Sequence, residues 1–297
     1  LYKQILQNCK SCYIFVGVLI VKILINQQLD AGMDLALSAL QQKFAGGVGM
    51  KKVKKWTIVM ILVMSMFFLS YKAMASEVKA SVSTGVFSAY VWRGQKLSNS
   101  YVVQPSVEVS YGGFNFNFWS NIDSDYNDEF EHTETDLTLE YDHNVDRFNI
   151  SAGYIYYALD SVQDTQEVYL SIGYDIIFTP TLTIYYDFEE GDGGFVTFSV
   201  SHPIQMKKIL LNLGASVSYN LNNRLMGTDK NGDEFSNFYN GEFSASLSIP
   251  VSNTVSIEPS IGYSFPLSND AEDALHAIND DADKDVLYGG LTVILSF

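Results

Sequence analysis

The sequence predicts an all-β fold, a transmembrane antiparallel up-and-down β-barrel of about 12 strands. Three observations carry this expectation. From Lys79 onward apolar and polar residues alternate with period two, without sustained helical periodicity. The connections between alternating segments are short and long in turn. Aromatic residues (Tyr111, Tyr141, Tyr174, Tyr219, Tyr263 and Phe265) sit near segment ends on the apolar parity, as interfacial girdles do.

The segments start near Lys79, Val102, Phe114, Glu134, Arg147, Thr165, Thr181, Gly194, Lys208, Phe238, Thr254 and Asp285. Each approaches the roughly 9–11 residues that a tilted spanning strand needs. In the third, Phe114, Phe116 and Phe118 alternate with Asn115 and Asn117. The fourth sets Leu137, Leu139 and Tyr141 against Asp136, Thr138 and Glu140; the sixth sets Val168, Leu170 and Ile172 against Glu167, Tyr169 and Ser171. In the last, Leu287, Leu291, Val293, Leu295 and Phe297 share one face, with Ile294 the exception. Gly85, Pro105, Gly153 and Pro259 fall inside segments and are candidate bulges.

Short connections are expected at 112–113, 142–146, 178–180, 202–207 and 250–253. Longer, mostly acidic ones are expected at 94–101, 123–133, 159–164, 189–193, 221–237 and 266–284. A soluble β-sandwich alternates too, but it requires neither aromatic ends nor side-dependent loop lengths. An open sheet edge in hydrocarbon would leave backbone groups unpaired, so the barrel is the β solution in lipid.

Charge sharpens the picture. Nine of the 18 basic and two of the 34 acidic residues precede Ser76, leaving nine against 32, or about −23, on the remainder. That field repels nucleic acid and attracts cations. Cys9 and Cys12 form a Cys-x-x-Cys pair ahead of Ser76, but no second pair completes a zinc site. No cofactor is expected.

Met50 opens a basic run, Trp56 to Leu69 are apolar, and Ala73-Met74-Ala75 closes the pattern. Residues 50–75 read as a signal peptide cleaved after Ala75. The apolar run is short of the roughly 20 residues of a spanning helix. Residues 1–49 read as an upstream or mis-started segment, and 76–297 as the barrel.

The alternating terminal strand ending in Phe297 resembles the C-terminal signal of outer-membrane proteins read by the barrel assembly machinery. The run Gly85-Val86-Phe87-Ser88-Ala89-Tyr90-Val91-Trp92-Arg93-Gly94 is followed by Gln104-Pro105, Gly112-Gly113-Phe114 and Trp119-Ser120-Asn121-Ile122-Asp123. Together they are similar to the N-terminal region of the TorF-type porins. The resemblance implies the outer membrane of a Gram-negative bacterium, with outer-membrane lipid and lipopolysaccharide, the assembly machinery and small solutes as partners.

The polar parity then faces the lumen. It carries Glu108, Glu140, Glu167, Asp187, Glu242 and Glu258, with Arg147 its clearest basic member and Arg93 near the external end of the first strand. These eight are the expected pore-lining residues of a porin-like channel favouring cations. One rival is a plugged interior in which the carboxylates pair with the two arginines; another is a structural or adhesive surface barrel. An outer-membrane hydrolase would need His beside carboxylates at the rim. His143 and His202 fall in short turns, His132 and His276 in acidic loops, so no enzyme is expected. Asp229 to Glu234 resembles part of a calcium loop, but its Gly comes one position early and no Glu closes it. It reads as an exposed turn.

Overall fold

A computed structural model describes residues 77–126, 129–279 and 283–297. The expected signal segment 50–75, residues 1–49 and both cysteines lie outside the described residues. The barrel strands are β1 (Lys79–Phe87), β4 (Val102–Tyr111), β5 (Phe114–Tyr126), β6 (Glu129–Val145), β7 (Phe148–Leu159) and β8 (Thr165–Tyr174). They continue with β9 (Thr181–Asp187), β10 (Gly193–Met206), β11 (Ile209–Leu221), β12 (Ser236–Pro250), β13 (Val255–Pro266) and β14 (Val286–Ser296). Between β1 and β4 lies a small hairpin, β2 (Val91–Trp92) and β3 (Gln95–Lys96), and between β13 and β14 a helix, α1 (Asn269–Ile278).

The twelve strands form one closed antiparallel barrel. Closure comes from β1, which pairs with β4 on one side and with β14 on the other. At its lower end the amide of Phe297 donates to the carbonyl of Ala80 at 2.8 Å. Among the described residues no barrel strand has an open edge, so the ladder satisfies the backbone of both terminal strands.

Alternation becomes inside and outside. Val86, Leu170, Ile184, Phe198, Phe243 and Leu291 are exposed on the outer face. Residues of the other parity point inward: Asn117 donates to Ser106 at 2.9 Å, and Ser171 and Thr183 share a hydrogen bond of 2.9 Å. Outward aromatic rings pair across strands near the short turns, Phe114 with Tyr141 and Phe148 with Tyr174 at 4.8 and 4.9 Å. At the long-loop end Tyr219 meets Phe238 and Phe243 meets Phe265. Ile294 lies on the inward parity, in register with Ser83 and Ser256.

The turns follow local chemistry. Gly112 and Gly113 both have positive φ, 59° and 89°, the two left-handed residues of a type I′ hairpin. Three expectations need correction. The 123–133 connection is not a long loop, because β5 runs to Tyr126 and β6 starts at Glu129 rather than near Glu134. The expected start at Arg147 moves into the β6–β7 turn. The register shifts lie at Val217/Tyr219, Asn121/Ile122 and Asp123/Tyr126, whereas Gly85 and Pro105 sit in continuous β1–β4 register and Gly153 and Pro259 in continuous pairing with β8 and β14.

Inward glycines serve another purpose. A Cβ on Gly153 would lie 2.4 Å from the Tyr169 ring, one on Gly262 2.5 Å from Tyr288, and one on Gly85 2.3 Å from Phe87. Each is bare backbone covered by an aromatic ring, which supplies the packing that glycine lacks. Gly290 sits at the β1–β14 seam, where a Cβ would meet the Val86 carbonyl at 2.3 Å and the Phe87 ring at 2.4 Å. Backbone cannot rotate away as a side chain can. We expect Gly290→Val to destabilise the barrel by about 1–3 kcal/mol, read as a lower urea midpoint; an unchanged midpoint refutes the seam packing.

Candidate functional site: the lumen and its inward-folded loops

The hairpin β2–β3 turns through Arg93 and Gly94, with φ of 51° and 84°. Two successive left-handed residues make a tight tip. A Cβ on Gly94 would lie 3.1 Å from Asn240 and Ser264, so the tip backbone rests against β12 and β13. The Arg93 side chain reaches the opposite wall. Its Nη1 and Nη2 donate to the two Glu167 carboxylate oxygens at 2.8 and 2.7 Å. The Tyr157 hydroxyl adds a third bond to Glu167 at 2.9 Å. The guanidinium lies 4.5–4.6 Å from the ring centres of Trp92, Tyr185 and Phe195. Buried charge is tolerable only when paired and hydrogen-bonded, and this bidentate, ring-enclosed pair meets both conditions.

Two other long loops lock the hairpin. Gln95 Nε2 donates to the Leu225 carbonyl at 2.8 Å, inside a 3-10 turn at Arg224–Met226. The Lys96 amide donates to Asn279 Oδ1 at 2.9 Å, just past α1. Ser268 caps α1 by accepting from the Ala271 amide at 3.2 Å. The helix buries Ala271, Ala274 and Leu275 against Met226, Phe235, Tyr239 and Phe195. Gly227, φ 79°, leaves room for Ala274 and Ile278. The long-loop end of the lumen is thus filled by an apolar and aromatic plug enclosing one ion pair.

The opposite half carries hydroxyl and amide side chains on its wall. A cavity of about 250 Å³ there is lined by Ser201, Asn212, Gly214, Ser244, Ser246 and Ser260, and extends to Tyr288. Leu213, Ala245 and Ile261 complete the lining.

The eight expected lining residues divide. Arg93 and Glu167 are joined across 74 positions of sequence. Glu140 lies on the inner wall, accepting from Tyr169 at 2.5 Å and Asn115 at 3.3 Å. Glu242 is half-buried and bonded to Tyr288. Glu108 and Glu258 occupy inward parity on β4 and β13, in register with Asn117 and Thr292. Asp187 is fully buried and caps a turn: it accepts from Thr165 at 2.6 Å and from the amides of Glu189 and Gly191 at 2.9 and 3.0 Å. Arg147 stands exposed in the β6–β7 turn. Glu134 and Asp136 were not among the expected lining residues, although Glu140, three and two alternations onward, has their parity. His132 bonds Thr135 at 2.8 Å, and His202 bonds the Ile177 carbonyl at 2.6 Å.

The calcium-like run closes on itself. Asp229 accepts from the amides of Asn231 and Asp233 at 2.8 and 3.0 Å, around Gly232 with φ 84°. Those amides hold its carboxyl below the usual range. The sign follows: a depressed value stabilises the turn above the free carboxylate pKa of about 3.9, and that support fades as pH falls through the lower folded value. The amide proton shifts of Asn231 and Asp233 are expected to titrate with a midpoint below about 3.9. A midpoint at or above it rejects this cap.

No protein-family model matches the chain, and no curated protein matches it by sequence. The TorF-type resemblance therefore rests on the residues that carry it. Among solved structures, the chain resembles the NanC porin at 13% identity and TM-score 0.45, covering 73% of this chain and 98% of that one. It resembles the KdgM porin at 11% and 0.47, covering 74% and 99%. Outer membrane phospholipase A from Escherichia coli is similar at 12% and 0.39, covering 73% and 89%.

Removing one member of the Arg93–Glu167 pair leaves the other buried and uncompensated. Arg93→Ala or Glu167→Gln should each cost about 3–5 kcal/mol in urea unfolding, and the double variant less than their sum. Additive losses reject the coupling.

Proposed function

We propose that this chain is a Gram-negative outer-membrane barrel that forms a porin-like channel for small solutes and favours cations. One observation carries the reading: the closed sheet is apolar outside and polar inside, with carboxylates along the inner wall. An exterior bearing Leu170, Ile184 and Phe243 suits hydrocarbon around it and supports this reading. Carboxylates in a narrow space raise local cation concentration. Inside the barrel Arg93 is matched by Glu167, which leaves Glu134, Asp136, Glu140, Asp187, Glu242 and Glu258 to set the sign.

In this reading the outer face meets outer-membrane lipid, the acidic loops face lipopolysaccharide, and the strand ending in Phe297 is presented to the assembly machinery. The hairpin is the constriction. A second reading, a structural or adhesive barrel, is favoured by the way α1, the 3-10 turn and the hairpin fill the mouth.

Planar bilayers separate the two. The full chain should give discrete conductance steps with a cation-selective reversal potential in a potassium chloride gradient. Arg93→Ala, which frees the hairpin tip, should raise single-channel conductance several-fold. Anion selectivity refutes the charge argument. Silence from both wild type and Arg93→Ala refutes the channel and leaves the structural barrel.

A further inference from the structure

Beside the Arg93 plug lies a cavity of about 280 Å³ with an aromatic lining and one acid. Phe87, Tyr90, Trp92, Trp119 and Tyr288 line it, and Asp136 is the acidic group. The Tyr90 and Trp119 rings meet at 5.4 Å with a 50° tilt, which makes a corner rather than a stack.

The acid belongs to a pair. Glu134 and Asp136 share one face of β6 and meet in a hydrogen bond that holds one proton between them, and the Tyr90 hydroxyl donates to Glu134. Asp136 Oδ1 is buried and has no hydrogen-bond partner among the described residues. Neither carboxyl makes an ion pair among the described residues. The buried cation Arg93 is held by Glu167. A buried acceptor without a donor, next to a second carboxyl, is an unfavourable arrangement that a positive ligand relieves.

The rings select the kind of cation. Aromatic faces attract weakly hydrated ammonium groups strongly, and cages of Tyr and Trp suit methylated ones. A metal ion would need several oxygen ligands, and groups of three or more metal-ligating side chains are absent among the described residues. An anion would face both carboxyls. The volume falls just below the roughly 300–1,000 Å³ of drug-sized sites, so the occupant is small.

We propose that this cavity binds a small organic ammonium ion, seated in the Tyr90–Trp119 corner with its charge beside Asp136. The site rests on the channel reading, since it places a recognition point for cationic solutes along the lumen.

The full chain, folded in detergent, is titrated with choline and with its neutral isostere 3,3-dimethylbutan-1-ol while tryptophan fluorescence is followed. Choline should saturate and bind at least tenfold more tightly than the isostere. Asp136→Asn and Trp119→Leu, compared only where they keep the compact species on unheated gels, should each weaken choline tenfold or more. Sodium chloride at equal ionic strength, and glucose, should not compete. Equal affinity for choline and the isostere overturns the proposal in wild type alone, as does competition by glucose or choline binding unchanged in Asp136→Asn. The same preparation is tested in planar bilayers. Potassium conductance without choline saturation rejects the site and keeps the channel. Choline saturation without conductance keeps the site and rejects the channel.

Discussion

The architecture depends on one constraint: every backbone amide and carbonyl of the sheet must find its partner within the sheet. The β1–β14 seam meets it, with β1 bonded on both sides and Phe297 tied to Ala80. Once the ladder is closed, the outer side chains are free to be apolar, because nothing polar on the backbone faces outward unsatisfied. Inner side chains can then be Ser, Thr, Asn and Glu, which bond to one another across strands. Gly85, Gly153, Gly262 and Gly290 fit the same scheme, each lending its missing side chain as space for an inward ring.

The interior holds two different solutions to the cost of buried polarity. Arg93 and Glu167 are matched with each other and supported by Tyr157. Asp187 is satisfied by a hydroxyl and two amides. Glu134 and Asp136 differ, since they meet each other and leave one oxygen unanswered. Buried networks of this kind rigidify where complete, and an unpaired group in them is costly. The complete ones hold the mouth, and the incomplete one borders the cavity.

Most strand starts were legible to within a residue or two, because a two-residue period is a local property that side-chain type reports directly. Val102, Phe114, Thr165 and Thr181 stand where the alternation places them. The β5–β6 extension was not legible, because Asp123 to Thr133 is acidic and carries no apolar face, yet backbone pairing across a short connection continues without one. Arg147 was misplaced by one position, enough to move it from wall to turn. The inward fold of residues 88–101 left no periodic trace. Its anchors at Glu167, Leu225 and Asn279 lie far along the chain, and only three-dimensional proximity connects them. Parity could have drawn attention to Glu134 and Asp136, which share the alternation that marked Glu140.

The wide sequence spacing of those anchors carries a further consequence for assembly. The hairpin is synthesised immediately after the first strand, but the groups that hold it belong to β8, the 3-10 turn and the segment after the helix, separated from it by 74, 130 and 183 positions. Contacts of such high order form late, after loop-closure entropy has been overcome by the sheet itself. Seating of the hairpin therefore reports completion: a truncated or unclosed barrel offers Arg93 no full socket, and only the finished cylinder captures it.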